Sequence, residues 1–259
     1  MLANVEFLYP PESAKASKFA EQIKKTTSSL SLGKHLVTVT IGTDSLKAAI
    51  LNKRPNIVAT YITSIDFNRI IQSHDNIDEL NIGAVFHNAS PKLVISIASK
   101  LLPYKKVIAL KTLPENNDFY DIFDSNVSWI ELRDKRKSSL LDYIPRDRSV
   151  FIIFPDFQFF DNNVIRKFIR DLYFDRNVFT IGFNKDHTKM GALVSIYPKE
   201  LYQHKEVVTQ ILLASDGKAI QGKYIENINI SLNRALANSL DIPLKIVDQL
   251  EKAIKEDRL

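Results

Sequence analysis

Five histidines, His35, His74, His87, His187 and His204, are the side chains of this 259-residue sequence that exchange protons near neutral pH, and cysteine is absent. Thiolate metal sites, disulfides and cysteine nucleophiles are therefore excluded. The histidines show no zinc-binding spacing. His87-Asn88 and Asp186-His187 each follow a run that reads as a strand. Brought together by the fold they would form a general base; kept apart they are solvated loop histidines. A base needs a nucleophile or substrate proton to act on, and no Gly-x-Gly-x-x-Gly after a strand, no phosphate-binding loop and no nucleophile elbow occurs. The expectation is a protein that is not an enzyme, with no tightly held metal and no cofactor.

Strand ends carry a different chemistry, recognition of a polar small molecule. In α/β sheets ligands settle beyond the carboxyl ends of strands, where helix N-termini present free amides. Thr43 and Asp44 stand at one such junction and Thr63 and Ser64 at another, while Asp156, Phe157 and Gln158 follow a third apolar run. Thr43 and Asp44 also suit ordinary helix capping, which needs no ligand. The segment Phe154-Pro155-Asp156-Phe157-Gln158-Phe159-Phe160 is the most unusual local composition. Its rings suit stacking on an aromatic or heterocyclic ligand, but the apolar area each must bury favours packing in the cleft or beneath a loop.

The elements that must position these groups alternate. Apolar runs Val5 to Tyr9, His35 to Ile41, Asn56 to Thr63, Asn81 to Phe86, Lys106 to Lys111, Ser128 to Leu132, Ser149 to Phe154, Asn177 to Phe183 and Gly191 to Tyr197 read as strands. Helical patterns cover Ala14 to Leu30, Ser45 to Lys53, Pro91 to Leu102, Asn163 to Tyr173, Lys199 to Ala214, Leu232 to Ser239 and Leu244 to Asp257. Val150-Phe151-Ile152-Ile153-Phe154 is apolar at every position, as in a strand covered on both faces. This is the grammar of parallel sheets with helices on both sides, and the strands outnumber what one compact sheet usually holds. The fold class expected is α/β with two Rossmann-like lobes.

A net charge of +5 and a pI near 9.1 invite a nucleic-acid reading. The distribution opposes it, because basic residues are answered nearby by acids, as in Glu131-Leu132-Arg133-Asp134-Lys135, and no basic motif with interleaved aromatics occurs. No nucleic-acid partner is expected. No apolar run has transmembrane length and no signal peptide precedes Asn4. The opening Met1-Leu2-Ala3 leads straight into the first strand, as in either a cytosolic protein or an exported one trimmed of its leader.

The stretch Met190-Gly191-Ala192-Leu193-Val194-Ser195-Ile196-Tyr197, followed by an amphipathic helix and the turn Ser215-Asp216-Gly217-Lys218, resembles the return segment of bacterial ABC-transporter substrate-binding proteins of the tryptophan/tyrosine type. Weaker matches extend the likeness over most of the chain: Ile41-Gly42-Thr43-Asp44, Ile82-Gly83-Ala84-Val85, Leu101-Leu102-Pro103, Phe154-Pro155-Asp156 and the tail Asn229 to Ala235 with Ile242-Pro243. The resemblance implies a periplasmic-binding-protein type I-like fold, with residues 1–86 plus 187–225 forming the first lobe and 87–186 plus 226–259 the second. It also implies closure around an amino-acid-like small molecule, with Thr43, Asp44, Thr63 and Ser64 facing Asp156, Phe157 and Gln158, in a protein that is periplasmic or exported and membrane-associated and serves a permease or a sensor.

Departures from the pattern qualify that inheritance. Ser64-Ile65 replaces Asp-Pro, Phe157-Gln158 replaces Asp-Asn, Ser231 replaces the tail Asn, and His204 replaces a helix Gly. A strand-helix unit of the first lobe is reduced to the Ser28 to Lys34 connection, which implies an abbreviated sheet edge. The second reading is therefore an envelope-assembly scaffold or interaction protein that keeps the fold without a solute.

Overall fold

A computed structural model describes residues 5–74, 77–102, 106–111, 127–131, 137–146, 149–156 and 162–240, with 245, 248, 249 and 252. In chain order the first elements are β1 (Val5–Leu8), α1 (Ala14–Thr27), β2 (Val37–Ile41), α2 (Thr43–Leu51), β3 (Ile57–Ile62), α3 (Ser64–Gln72) and β4 (Ile82–Phe86). There follow α4 (Pro91–Leu101), β5 (Val107–Lys111), β6 (Val127–Glu131), β7 (Val150–Ile152), α5 (Asn162–Arg176), β8 (Phe179–Gly182), α6 (Lys185–Lys189) and β9 (Val194–Pro198). The chain closes through α7 (Glu200–Ser215), β10 (Gly222–Lys223), β11 (Ile228–Leu232) and α8 (Arg234–Ser239). The helix expected over Leu244 to Asp257 falls largely outside the described residues.

Two compact units result, residues 1–88 with 198–225 and residues 89–197 with 226–259. Each is α/β around its own sheet.

The first unit orders its strands β1-β2-β3-β4-β10, all parallel. Helix α1 starts where Ser13 Oγ accepts from the Ala16 amide at 3.2 Å, and it buries Ala16, Phe19, Ala20, Ile23 and Thr27, the stripe its spacing calls for. That stripe shares a core with Val37, Val39, Ile41, Val58 and Val85 and with α7, whereas α2 and α3 bury Leu46, Ile50, Phe67 and Ile70 on the opposite face.

This division has a topological consequence. The steps from β1 to β2 to β3 to β4 all move the same way across the sheet. Equal steps made over opposite faces have opposite hands, so the α1 crossover differs from those of α2 and α3. Since right-handed crossovers prevail in about 98% of cases, α1 is the exception. A strand beyond β1, in place of the reduced Ser28 to Lys34 connection, would restore the usual hand; without one β1 is the edge of the sheet.

The second unit orders its strands β11-β9-β8-β7-β5-β6, with parallel pairing from β9 through to β6. Phe151 at its centre packs edge-on against Phe168 of α5 at 5.3 Å. One expectation is corrected here. The Gly191 to Tyr197 strand was assigned to the first lobe, but Val194 and Ser195 pair with Ile181 and Gly182, so β9 belongs to the second sheet and the chain returns at Pro198 instead of near residue 187. Only the short helix α6 separates β8 from β9, and Val194, Ser195 and Ile196 are fully buried, so pairing with the neighbour just laid down covers both faces at once. Asn229 to Leu232, expected to lead a helix, also pairs into this sheet as β11, and the helix starts after the cap Asn233.

His187 of α6 sits inside this unit. It is 2% exposed, lies edge-on to Phe183 at 4.6 Å, and packs so closely on Gly182 that a Cβ there would approach its ring to 2.5 Å. Its Nδ1 has no hydrogen-bond partner among the described residues. Burial lowers its pKa from 6.5 to about 4, against a smaller upward pull from Asp186. The unfolded chain thus takes up this proton at higher pH than the folded one, so the stability is whole above pH 6.5 and is lost as pH falls toward 4. At about 1.4 kcal/mol per pH unit the loss reaches about 3 kcal/mol. Urea denaturation of the protein and of His187→Leu should show the protein losing about 3 kcal/mol relative to the variant as pH falls from 6.5 to 4; parallel curves would show that His187 is not held neutral.

Candidate functional site

The carboxyl ends of β2, β3 and β4 in the first unit gather the polar groups that the helix starts expose. After β2 the chain turns through Gly42, whose φ of 90° suits glycine, and α2 begins at Thr43. No side chain caps this helix. Asp44 is exposed in its first turn and pairs weakly with Lys47 at 3.7 Å. Thr43 is half-buried, and its hydroxyl makes no hydrogen bond among the described residues. Neither residue is the cap that the sequence suggested; Gly42 holds that position.

Thr63 and Ser64 are fully engaged within the unit. Thr63 caps α3: its Oγ1 accepts from the Asp66 amide at 3.0 Å and donates to Asp66 Oδ2 at 2.8 Å, while Arg69 holds Asp66 Oδ1 at 2.9 Å. The Ser64 amide donates to Asn88 Oδ1 at 2.9 Å, and Asn88 Nδ2 donates back to Ser64 Oγ at 3.2 Å. These bonds tie the end of β3 to the end of β4. Asp156 lies in the second unit beyond β7, buried, with its amide on the Phe154 carbonyl at 2.9 Å. Phe154 itself is core, stacked on Trp129 at 5.8 Å. Phe157 and Gln158 lie outside the described residues. The structure brings Thr43 and Asp44 to the same sheet edge as Thr63 and Ser64, at the ends of neighbouring strands.

Near the end of β3 stands Tyr61, absent from the sequence-derived set. The β3–β4 register slips between Thr60 and Ile62, and Tyr61 takes φ 52°, the left-handed region that a bulky residue avoids. Such a conformation costs on the order of 1–3 kcal/mol and persists only where the surroundings enforce it. They do so here. The ring stacks on His87 at 4.9 Å and 19°, meets Phe19 edge-on at 4.8 Å, and lies under Lys15 Nζ at 5.0 Å from its centroid. Its hydroxyl donates to Glu200 Oε1 at 3.1 Å. Burial first, then the Glu200 charge and this bond, push the phenol well above its ordinary pKa, so it stays a donor.

His87 is the strand-end histidine anticipated as a base, and its Nδ1 is bonded to Gln203 Oε1 at 2.8 Å. Burial lowers its pKa, helped by the Lys15 charge and opposed by the Gln203 bond and Glu200. His187 belongs to the other unit. Gln203 is the hub: buried on α7, its Oε1 accepts from His87 Nδ1 and its Nε2 donates to Thr60 Oγ1 at 3.2 Å. The arrangement holds no activated nucleophile, and among the described residues no cluster of metal-ligating side chains exists. It suits binding: a rigid aromatic pair, an unoccupied threonine hydroxyl and uncapped helix amides.

No protein-family model and no curated protein matches the sequence. Solved structures do. A conserved domain protein from Vibrio cholerae is similar over 90% of this chain and 81% of its own, at 12% identity and a TM-score of 0.54. The ABC domain in complex with L-Trp from Streptococcus pneumonia is similar over 90% of this chain and 84% of its own, at 13% identity and a TM-score of 0.50. A periplasmic binding protein/LacI transcriptional regulator from Alkaliphilus metalliredigens, complexed with D-xylulofuranose, aligns over 88% and 96% at 11% identity with a TM-score of 0.42. At these identities the likeness is one of fold, the α/β periplasmic-binding-protein type I-like fold.

Replacing Gln203 by Leu leaves the His87 and Thr60 side chains without their partner in a buried setting. The expected cost is about 1–3 kcal/mol by denaturant unfolding. Tyr61→Phe, which keeps the stack and loses one half-exposed bond, should cost less than about 1 kcal/mol. The reverse ranking would show that the Tyr61 hydroxyl, not Gln203, organises this edge.

Proposed function

We propose that the protein is a noncatalytic binding protein that closes around a small, amino-acid-like organic solute. The observation that carries this is the end of β2: Gly42 turns the chain so that α2 presents its first amides without a side-chain cap, beside a Thr43 hydroxyl with no partner among the described residues. A carboxylate or other anionic group suits such a helix start. Thr63 and Ser64 fix the neighbouring loop, and the Tyr61–His87 stack supplies a flat apolar wall. Asp156, Phe157 and Gln158 are the second unit's contribution in this reading. Similarity in fold to a domain in complex with L-Trp agrees with an amino-acid-like ligand. No helix among the described residues is long and apolar enough to cross a membrane. In this reading the protein is periplasmic, or exported and membrane-associated, and serves a permease or a sensor.

The interaction-protein reading, a scaffold without a solute, draws on Thr63 and Ser64, whose polar groups are turned inward and engaged. A thermal-shift screen of amino acids, purines and small organic acids separates the two. A ligand at a hundred times its dissociation constant should stabilise the protein by about 2.7 kcal/mol. Thr43→Ala and Phe157→Ala should abolish that shift while leaving the unliganded melting temperature within a few degrees. No shift with any compound would favour the scaffold.

A further inference from the structure

A groove of about 600 Å³ runs along α1 of the first unit, walled on its other side by the start of α7. Its floor is Phe19 and Tyr61, and Leu201 on the α7 wall is 63% exposed. Lys15, Lys18 and Lys25 line it, and none of the three forms an ion pair among the described residues. The single carboxylate in the lining, Glu200, already accepts from Tyr61. The groove thus has an apolar centre and a rim with an excess of positive charge, the anatomy of an interface whose partner is acidic.

Length selects the class of partner. The lining reaches from Lys15 to Thr26 on α1, about 16 Å at 1.5 Å per residue. An extended peptide of about five residues, or about three turns of helix, matches that run, whereas an amino-acid-sized solute fills a fraction of it. We propose that this groove docks an acidic, amphipathic segment of a protein partner, with carboxylates on the lysine rim and an apolar side chain against Leu201. The groove shares Tyr61 with the solute reading, whose wall is the Tyr61–His87 stack, but none of the residues changed in the test below belongs to that reading.

The probe is a fluorescein-labelled amphipathic peptide of about twelve residues built from Glu, Leu and Ala, about three helical turns long. Its counterpart with Lys in place of Glu serves as control, and anisotropy is read at low salt and at about 0.5 M salt. The acidic peptide should bind and the basic one should not, with affinity falling as salt rises. Lys18→Glu with Lys25→Glu should weaken binding by about tenfold or more, since both side chains are exposed and the charge at the rim reverses. Leu201→Ser should weaken it at both salt concentrations, and Lys92→Glu, an exposed change in the second unit, should leave it unaltered. Undiminished binding by the double variant, an equal loss in Lys92→Glu, or binding of free glutamate or phosphatidylglycerol vesicles in place of the peptide would overturn the proposal.

Discussion

Val207, Val208, Ile211 and Ala214 of α7 share one core with Val39 of β2, Val58 of β3 and Val85 of β4. Helix α7 reaches that sheet only after the chain has passed through the whole of β5 to β9. Fully burying a Val or Ile side chain is worth roughly 1.5–3 kcal/mol, so three such residues on one helix rival the net stability of a domain. The same helix turns Gln203 toward Thr60 and His87. At its far end Ser215 Oγ accepts from the Gly33 amide at 3.0 Å and the Ser215 carbonyl from the His35 amide at 3.1 Å. β10 then lies along β4, admitted by Gly83, where a Cβ would come within 2.7 Å of the Gln221 backbone. Core, sheet edge and strand-end network in the first unit all depend on this return.

Strain at Tyr61 follows from it. A tyrosine holds φ 52° only because His87, Phe19, Lys15 and Glu200 close around its ring and hydroxyl, and two of those contacts are themselves placed by α7. Glu200 is the first residue of α7, and Gln203, one turn on, fixes the His87 ring that Tyr61 stacks on. The conformational cost in β3 is thus met by a helix that is remote in sequence. This coupling gives the ligand-binding reading a rigid wall and the peptide-docking groove its floor.

How far the sequence made this legible depended on whether the information was local. The apolar run from Val150 to Phe154 marks a strand because both its faces are buried, and β7 lies there. The stripe Ala16, Phe19, Ala20, Ile23 marks α1 for the same reason. Sheet membership is not local: Val194 to Ile196 would look identical in either sheet, and only pairing with Ile181 and Gly182 assigns it. Helix α3 leaves a weak periodic signal because it is short and opens behind its cap Thr63 with Ser64-Ile65-Asp66, whose polar groups are buried against Thr63 and Asn88. Tyr61 reads as one more strand residue, since a left-handed φ leaves no mark in residue type when side-chain contacts enforce it. Gln203 reads as a solvated helix position, and its burial is visible only once His87 and Thr60 stand opposite.

The account rests on the first unit being a single folding entity made of two distant segments, and a minimal protein measures this directly. Residues 5–88 joined by a short flexible linker to 198–225 should unfold cooperatively on heating and protect the β2 and β3 amides from hydrogen exchange. Residues 5–88 alone should show neither property, because they lack the helix that covers Val39, Val58 and Val85. Cooperative unfolding and equal amide protection in residues 5–88 alone would contradict the dependence on α7.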